Sequence, residues 1–215
     1  MYKAVIFDLD GTLLNTLEDL AIACNYALLK CGFPIYKVDA YKKFVGDGRY
    51  KLIERIVPKE SRTDEVLNKV MEFYNEYYEA HMIDMTKPYE GILELLDILN
   101  DKGLKLAVVS NKPHEFSTGI VKNFFGDRIQ MVFGHRTNFP TKPNPETVFE
   151  VLREFNVSKE ESIFIGDSNV DIRTAKNAGV KSVGVAWGFR GEEELRAEGA
   201  DFVASTVDEL EKILI

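Results

Sequence analysis

Ala4-Val5-Ile6-Phe7-Asp8-Leu9-Asp10-Gly11-Thr12-Leu13 is the stretch from which the fold is read. An apolar run at the start of the chain stops at two aspartates, a glycine and a threonine. Such a short run, with no polar alternation, predicts a strand buried on both faces. Residues two apart on a strand share a side, so its carboxyl end presents Asp8 and Asp10 together. In open parallel α/β sheets that edge is where ligands bind. Two carboxylates held together at a dry strand end repel each other and call for a cation, a shared proton or both. Gly11 permits a sharp turn and a close approach by a ligand. Aspartate is also common in plain turns, so the motif taken alone fits a simple strand end as well.

Working outward, apolar residues recur at helical spacing over Leu17–Lys30 until Gly32. Helical patterns continue through Val38–Phe44, Tyr50–Val57 and Asp64–Ala80, broken by Gly46-Asp47-Gly48 and Pro58. No strand-like run appears between Leu14 and Pro88, so residues 15–87 read as a helical insertion into an α/β domain made of 1–14 and 88–215. Beyond Pro88, helices at Ile92–Asn100, His114–Asn123, Pro145–Phe155 and Ile172–Ala178 alternate with strands at Leu104–Val109, Gln130–Phe133, Ser162–Ile165 and Ser182–Val185. A weaker strand at Phe202–Val203 and a helix at Val207–Leu214 follow. Strands that alternate with helices, and are apolar throughout, predict a parallel sheet covered on both faces.

The later strands end in polar residues of a particular kind. Leu104–Val109 runs into Ser110-Asn111-Lys112-Pro113, where a hydroxyl and the next backbone N–H suit a phosphate oxygen, or equally a plain capped turn. Lys142-Pro143 precedes a helical pattern; a lysine there is a compact charge for a phosphoryl group, though surface lysines are common. Ser162–Ile165 leads into Gly166-Asp167-Ser168-Asn169-Val170-Asp171, an oxygen-ligand arrangement suited to a hard cation. Helix capping by Ser168 or Asp167 is the plainer reading, and it leaves the pairing of two acids unexplained.

Of the 215 residues, 45% are apolar, an ordinary share that builds a sizeable core in one domain with a modest insertion. Asp and Glu outnumber Lys and Arg 35 to 27, a net charge of −8 that argues against nucleic acid or an anionic membrane as partner. The same balance means a phosphate site must carry its own local positive charge. Cys24 and Cys31 form neither a zinc pattern nor a disulfide framework and are expected as buried thiols. The N-terminal apolar run is too short for a signal peptide and no segment reaches transmembrane length, so a cytoplasmic protein is expected.

A carboxylate pair, a hydroxyl, a lysine and a second carboxylate pair, in that order at strand ends, resemble the haloacid dehalogenase superfamily. Its motifs read D-x-D-x-T, S/T, K and G-D-x-x-x-D. The resemblance spans the chain and implies a Rossmann-like core with an inserted helical C1 cap. It implies Asp8 as the nucleophile that forms an aspartyl-phosphate and Asp10 as general acid, then general base. It implies Mg²⁺ held by the Asp8 carboxylate, the Asp10 carbonyl and Asp167, with Asp171 acting behind them. Ser110 and the Asn111 amide would hold phosphoryl oxygens, and Lys142 would bridge nucleophile and phosphate.

Within the superfamily the finer resemblance is to phosphoglycolate phosphatases. It rests on Val45-Gly46-Asp47-Gly48 with Leu52, Ser110-Asn111-Lys112-Pro113 with Phe116, Lys142-Pro143, and Val185-Ala186-Trp187-Gly188-Phe189. Asn15-Thr16 departs from the Asp-Ser common in that group and is similar to pyrophosphatase-type relatives. Gly46, Asp47, Gly48 and Arg49 are the candidates for substrate specificity, with Arg49 suited to a carboxylate or simply solvated. The expected partner is a small phosphorylated metabolite, met by a monomer or homodimer. A pyrophosphatase, a β-phosphoglucomutase-type transfer and a non-catalytic binding protein are the alternatives. His81, His114 and His135 read as structural, and Tyr74, Tyr77 and Tyr78 as packing residues.

Overall fold

The computed structural model describes all residues, Met1–Ile215. In chain order, β1 (Ala4–Phe7) and β2 (Leu14–Asn15) precede α1 (Leu17–Lys30), α2 (Arg49–Ile56) and α3 (Asp64–His81). Then follow β3 (Lys87–Pro88), α4 (Ile92–Asp101), β4 (Lys105–Pro113), α5 (His114–Phe125), β5 (Met131–His135) and α6 (Glu146–Phe155). The chain closes with β6 (Ser162–Gly166), α7 (Asn169–Ala178), β7 (Lys181–Val185), α8 (Glu192–Glu198), β8 (Phe202–Ala204) and α9 (Val207–Leu214). Two units result: Met1–Asn15 with Pro88–Ile215, and Thr16–Lys87.

The first unit holds a six-stranded sheet in the order β5-β4-β1-β6-β7-β8. Every pairing is parallel. All four residues of β1 are buried, because helices cover both faces of the strand. On one face Ala4 and Ile6 join Ala107, Val109, Val148, Val151, Phe155, Phe164 and Ala175 in a single cluster. Each large apolar side chain so buried contributes about 1.5–3 kcal/mol. From β1 the chain builds outward through β4 and β5, then returns to the other side of β1 to add β6, β7 and β8. The carboxyl end of β1 therefore lies at the switch point of the sheet, where such folds bind ligands.

The second unit is helical. Leu20, Ala21, Cys24, Ala27 and Leu28 of α1 are buried, as are Leu67, Val70, Tyr74 and Tyr78 of α3, and the two helices pack together. Tyr74 and Tyr78 stack with ring centroids 5.2 Å apart, the packing role expected of them. Asp19 near the start of α1 is buried and accepts from the Met85 and Thr86 N–H groups and the Thr86 hydroxyl. Cys24 is buried as expected, whereas Cys31, at the end of α1, is only half-buried.

Several element bounds differ from the sequence reading. β4 runs on through Ser110–Pro113, with a register irregularity after Val109, because these polar residues stay buried and extended. Asn169, not Ile172, begins α7, since Ser168 and Asp171 close a reciprocal capping box. Val38–Lys43 forms a 3-10 helix rather than an α-helix. α8 was not expected at all: Glu192–Glu198 carries a single buried apolar residue, Leu195, too few for a visible period. Leu195 packs on Gly184 of β7, where a β-carbon would lie 2.9 Å from its own.

Candidate active site

Asp8 follows β1 directly, and its N–H still donates to the Ile165 carbonyl at 2.8 Å, so its position is set by the sheet. The chain then turns sharply: the N–H groups of Leu13 and Leu14 both point to the Leu9 carbonyl at 3.1 Å. Gly11 makes the turn at φ +92°, a conformation that L side chains rarely adopt. A β-carbon at Gly11 would also collide with the Asp167 carboxylate. The Thr12 carbonyl accepts from the Trp187 indole at 3.1 Å, which ties this turn to the segment after β7.

Lys142 comes from the segment between β5 and α6. Its ammonium donates to Asp8 Oδ1 at 2.6 Å and to Asp171 Oδ1 at 2.7 Å. The backbone of Lys142 is held by the Asn111 side chain, which accepts from its N–H at 2.8 Å and donates to its carbonyl at 3.1 Å. β4 thus fixes the loop that carries the lysine. Ser110 sits beside Asn111 and is buried, its hydroxyl oxygen accepting from the Lys112 N–H at 3.2 Å.

The second acidic pair is seated by backbone. Asp171 Oδ2 accepts from the Ser168 N–H and hydroxyl at 3.1 and 2.7 Å, which leaves Oδ1 for Lys142. Asp167 Oδ2 accepts from the Phe189 N–H at 2.6 Å. Gly188 is obligatory there, since a β-carbon would run into the Asp167 side chain.

Ligand oxygens of Asp8, Asp167 and Asp171 lie within 4.8 Å of one another, all three buried. The Asp8 carboxyl is raised to about 7: burial pushes it up most, Lys142 pulls against that, and the charges of Asp171 and Asp10 add to the rise. Asp167 is raised well above the carboxylate range by burial, then by Asp171 and Asp8. Burial alone would lower the Lys142 ammonium, but Asp171 and Asp8 raise it, and the net shift is upward. One ammonium serves two of three clustered carboxylates, and Asp167 has only a backbone donor. An all-oxygen donor set short of positive charge fits a hard dication.

The sheet unit therefore brings together Asp8, Asp10, Ser110, Asn111, Lys142, Asp167 and Asp171. Asn111 differs from expectation in one respect: its side-chain amide holds the Lys142 backbone. Asp171 bonds Lys142 directly as well as lying in the carboxylate cluster. The specificity candidates belong to the helical unit. There Asp47 pairs with Arg55 at 2.5 Å, Arg49 donates to Asn75 Oδ1 at 2.7 Å, and Gly46 and Gly48 take φ of +121° and +86°. Sequence reasoning passed over two features. Lys112 reaches Asp10 at 2.9 Å across 102 residues of chain, which no local spacing reveals. The Gly188-Phe189 seat for Asp167 lies just after β7, 21 and 22 residues from the acid it holds, and no local spacing marks it.

A family model for haloacid dehalogenase-like hydrolases matches residues 5–185. A phosphoglycolate phosphatase of Aquifex aeolicus is 32% identical over 99% of this chain and 96% of its own length. One from Vibrio parahaemolyticus is 31% identical with the same coverage. A solved structure of a candidate phosphoglycolate phosphatase from Lactobacillus delbrueckii subsp. bulgaricus superposes with a TM-score of 0.95 at 34% identity, covering 100% of this chain and 98% of that one.

Proposed function

This chain belongs to the haloacid dehalogenase-like hydrolase family, and we propose that it is a Mg²⁺-dependent phosphatase of small phosphate monoesters, with a substrate like that of the phosphoglycolate phosphatases it resembles. The observation that carries the reading is the buried Asp8, 2.6 Å from the Lys142 ammonium and clustered with Asp167 and Asp171. Asp8, Asp167 and the Asp10 carbonyl would hold the metal, with Asp171 behind them. Bound there, Mg²⁺ supplies the positive charge that a phosphoryl group needs beside these carboxylates.

In the first transfer an Asp8 oxygen bonds to phosphorus as the ester P–O bond breaks. The leaving oxygen takes the bonding pair and a proton from Asp10, leaving an aspartyl-phosphate. In the second, a water oxygen bonds to phosphorus, its proton goes to Asp10, and the Asp8–phosphorus bond breaks to give phosphate and the free carboxylate. Ser110 and the Asn111 backbone would orient phosphoryl oxygens, and Lys142 neutralises the nucleophile's surroundings. The helical unit is read as the cap, with Gly46, Asp47, Gly48 and Arg49 setting specificity. A cytoplasmic monomer or homodimer accords with this reading, and no helix is long and apolar enough to cross a membrane.

The test is phosphate release from 2-phosphoglycolate, pyrophosphate, sugar phosphates and nucleoside monophosphates with Mg²⁺, for wild type and Asp8→Asn. Release from one monoester that disappears in the variant supports the reading. Dominant release from pyrophosphate, or turnover only with a sugar bisphosphate present, would assign a pyrophosphatase or a mutase instead. Equal release by both proteins removes Asp8 as the nucleophile.

A further inference from the structure

The Lys112 ammonium donates to both oxygens of Asp10, at 2.9 and 3.2 Å. The side chains are 4% and 13% exposed. Burying a lysine is costly unless a partner and a fixed geometry compensate, and here both are built in. The Lys112 N–H is bound to the Ser110 hydroxyl at 3.2 Å and its carbonyl accepts from the Ser117 hydroxyl at 3.3 Å. The backbone at the end of β4 is thereby pinned, and the side chain has a set reach. Asp10 lies close enough to Asp8 for their charges to interact, with Asp171 and Asp167 beyond. Lys142 is committed to Asp8 and Asp171. Without Lys112, Asp10 would face the like charge of Asp8 with no ammonium bonded to it, and nothing in this contact would hold its carboxylate in place.

We propose that Lys112 is the positioning residue for Asp10, holding that carboxylate where protons are exchanged with the leaving oxygen and with water. The two lysines divide the work: Lys142 serves the nucleophile, Lys112 the acid/base. This inference rests on the phosphatase reading above.

The test separates the two transfers. p-Nitrophenolate leaves without a proton, so the first transfer from p-nitrophenyl phosphate needs no acid, while hydrolysis of the aspartyl-phosphate still needs Asp10 as base. An alkyl ester such as 2-phosphoglycolate needs Asp10 in both. In rapid-quench experiments with saturating Mg²⁺, Lys112→Met is expected to release about one p-nitrophenolate per site within about threefold of the wild-type first-turnover rate, then turn over about a hundredfold more slowly than wild type. With the alkyl ester the loss is at least as large and no burst appears. Asp10→Asn gives the same pair of traces, and Lys112→Arg, which keeps the charge, recovers steady-state turnover to within about tenfold of wild type. Equal slowing of both esters without a burst, or turnover like wild type, overturns the inference while leaving the phosphatase reading intact. Should Lys112→Met not fold, the Lys112→Arg variant decides: slowing confined to proton-requiring steps supports the role, and uniform slowing refutes it. A folded wild type that hydrolyses no ester overturns the phosphatase reading, and this inference with it.

Discussion

Asp19 in the helical unit and Asp8 in the sheet unit are buried to a similar degree, 3% and 7% exposed, yet their surroundings are opposite. Asp19 takes the Met85 N–H at 3.0 Å, the Thr86 N–H at 2.8 Å and the Thr86 hydroxyl at 2.7 Å. Asp8 shares one ammonium with Asp171 and is clustered with that carboxylate and with Asp167, both buried. A buried carboxylate saturated by neutral donors is a tie between segments. One crowded by like charges and short of donors is held against its own stability, which is what a site for a cation and a phosphoryl group requires.

That contrast is open to direct attack. The largest effect is expected for Asp8→Asn, which should lower turnover by about 10⁴-fold or more. The melting temperature of the metal-free variant should match or exceed wild type, because one of the crowded charges is gone; a clear fall would mean that Asp8 is a tie like Asp19. Asp19→Ala should do the reverse. Loss of a charged acceptor with backbone donors left behind costs about 2–5 kcal/mol. Urea denaturation reads that loss directly, while turnover of the folded variant at 25 °C should stay within about threefold of wild type.

Gly188→Ala sharpens the comparison from the metal side. Its β-carbon would displace the Asp167 side chain, and Mg²⁺ affinity, measured calorimetrically, should fall about 10–100-fold. An unchanged affinity would separate Asp167 from the metal. The smallest effect is a pH dependence. Asp8 binds its proton with a pKa of about 7 in the folded chain against an ordinary 3.8. The folded state therefore holds more protons between those values, so this contribution is present in full below the lower one and is lost as pH rises through the upper. Asp167 shifts in the same direction. The melting temperature of metal-free protein should decline from about pH 4 to pH 7 on this account, and Mg²⁺ should reverse the decline at the upper end. Lys142, whose shift is upward from 10.5, leaves that window unchanged.

Much of the sheet was legible because apolar strands and periodic helices are local signals. β1 and its polar end could be read from ten residues, and α1 from the spacing of Leu17 to Leu28. Where local signal was thin, the reading failed. α8 has one apolar anchor, Leu195, whose burial depends on a glycine in a neighbouring strand. The extension of β4 through Ser110–Pro113 depends on contacts that keep polar residues buried. Asn111 was visible as a polar strand-end residue, but its bonds to the Lys142 backbone join segments 31 residues apart.

The sequence by itself determined the strand–helix alternation, the helical insertion and which segments carry the paired acids, the hydroxyl and the lysine. Periodicity and turn chemistry act within a few residues, and the chain states them openly. The tertiary structure decided which of those polar groups meet. Only the parallel sheet, with β1 between β4 and β6, sets Lys142 on Asp8 and Lys112 on Asp10. Only the turn at Gly11 and the loop at Gly188 set the room left for Asp167. Burial and Coulomb forces then depend on separations of a few ångströms between residues a hundred positions apart, and no local pattern encodes them.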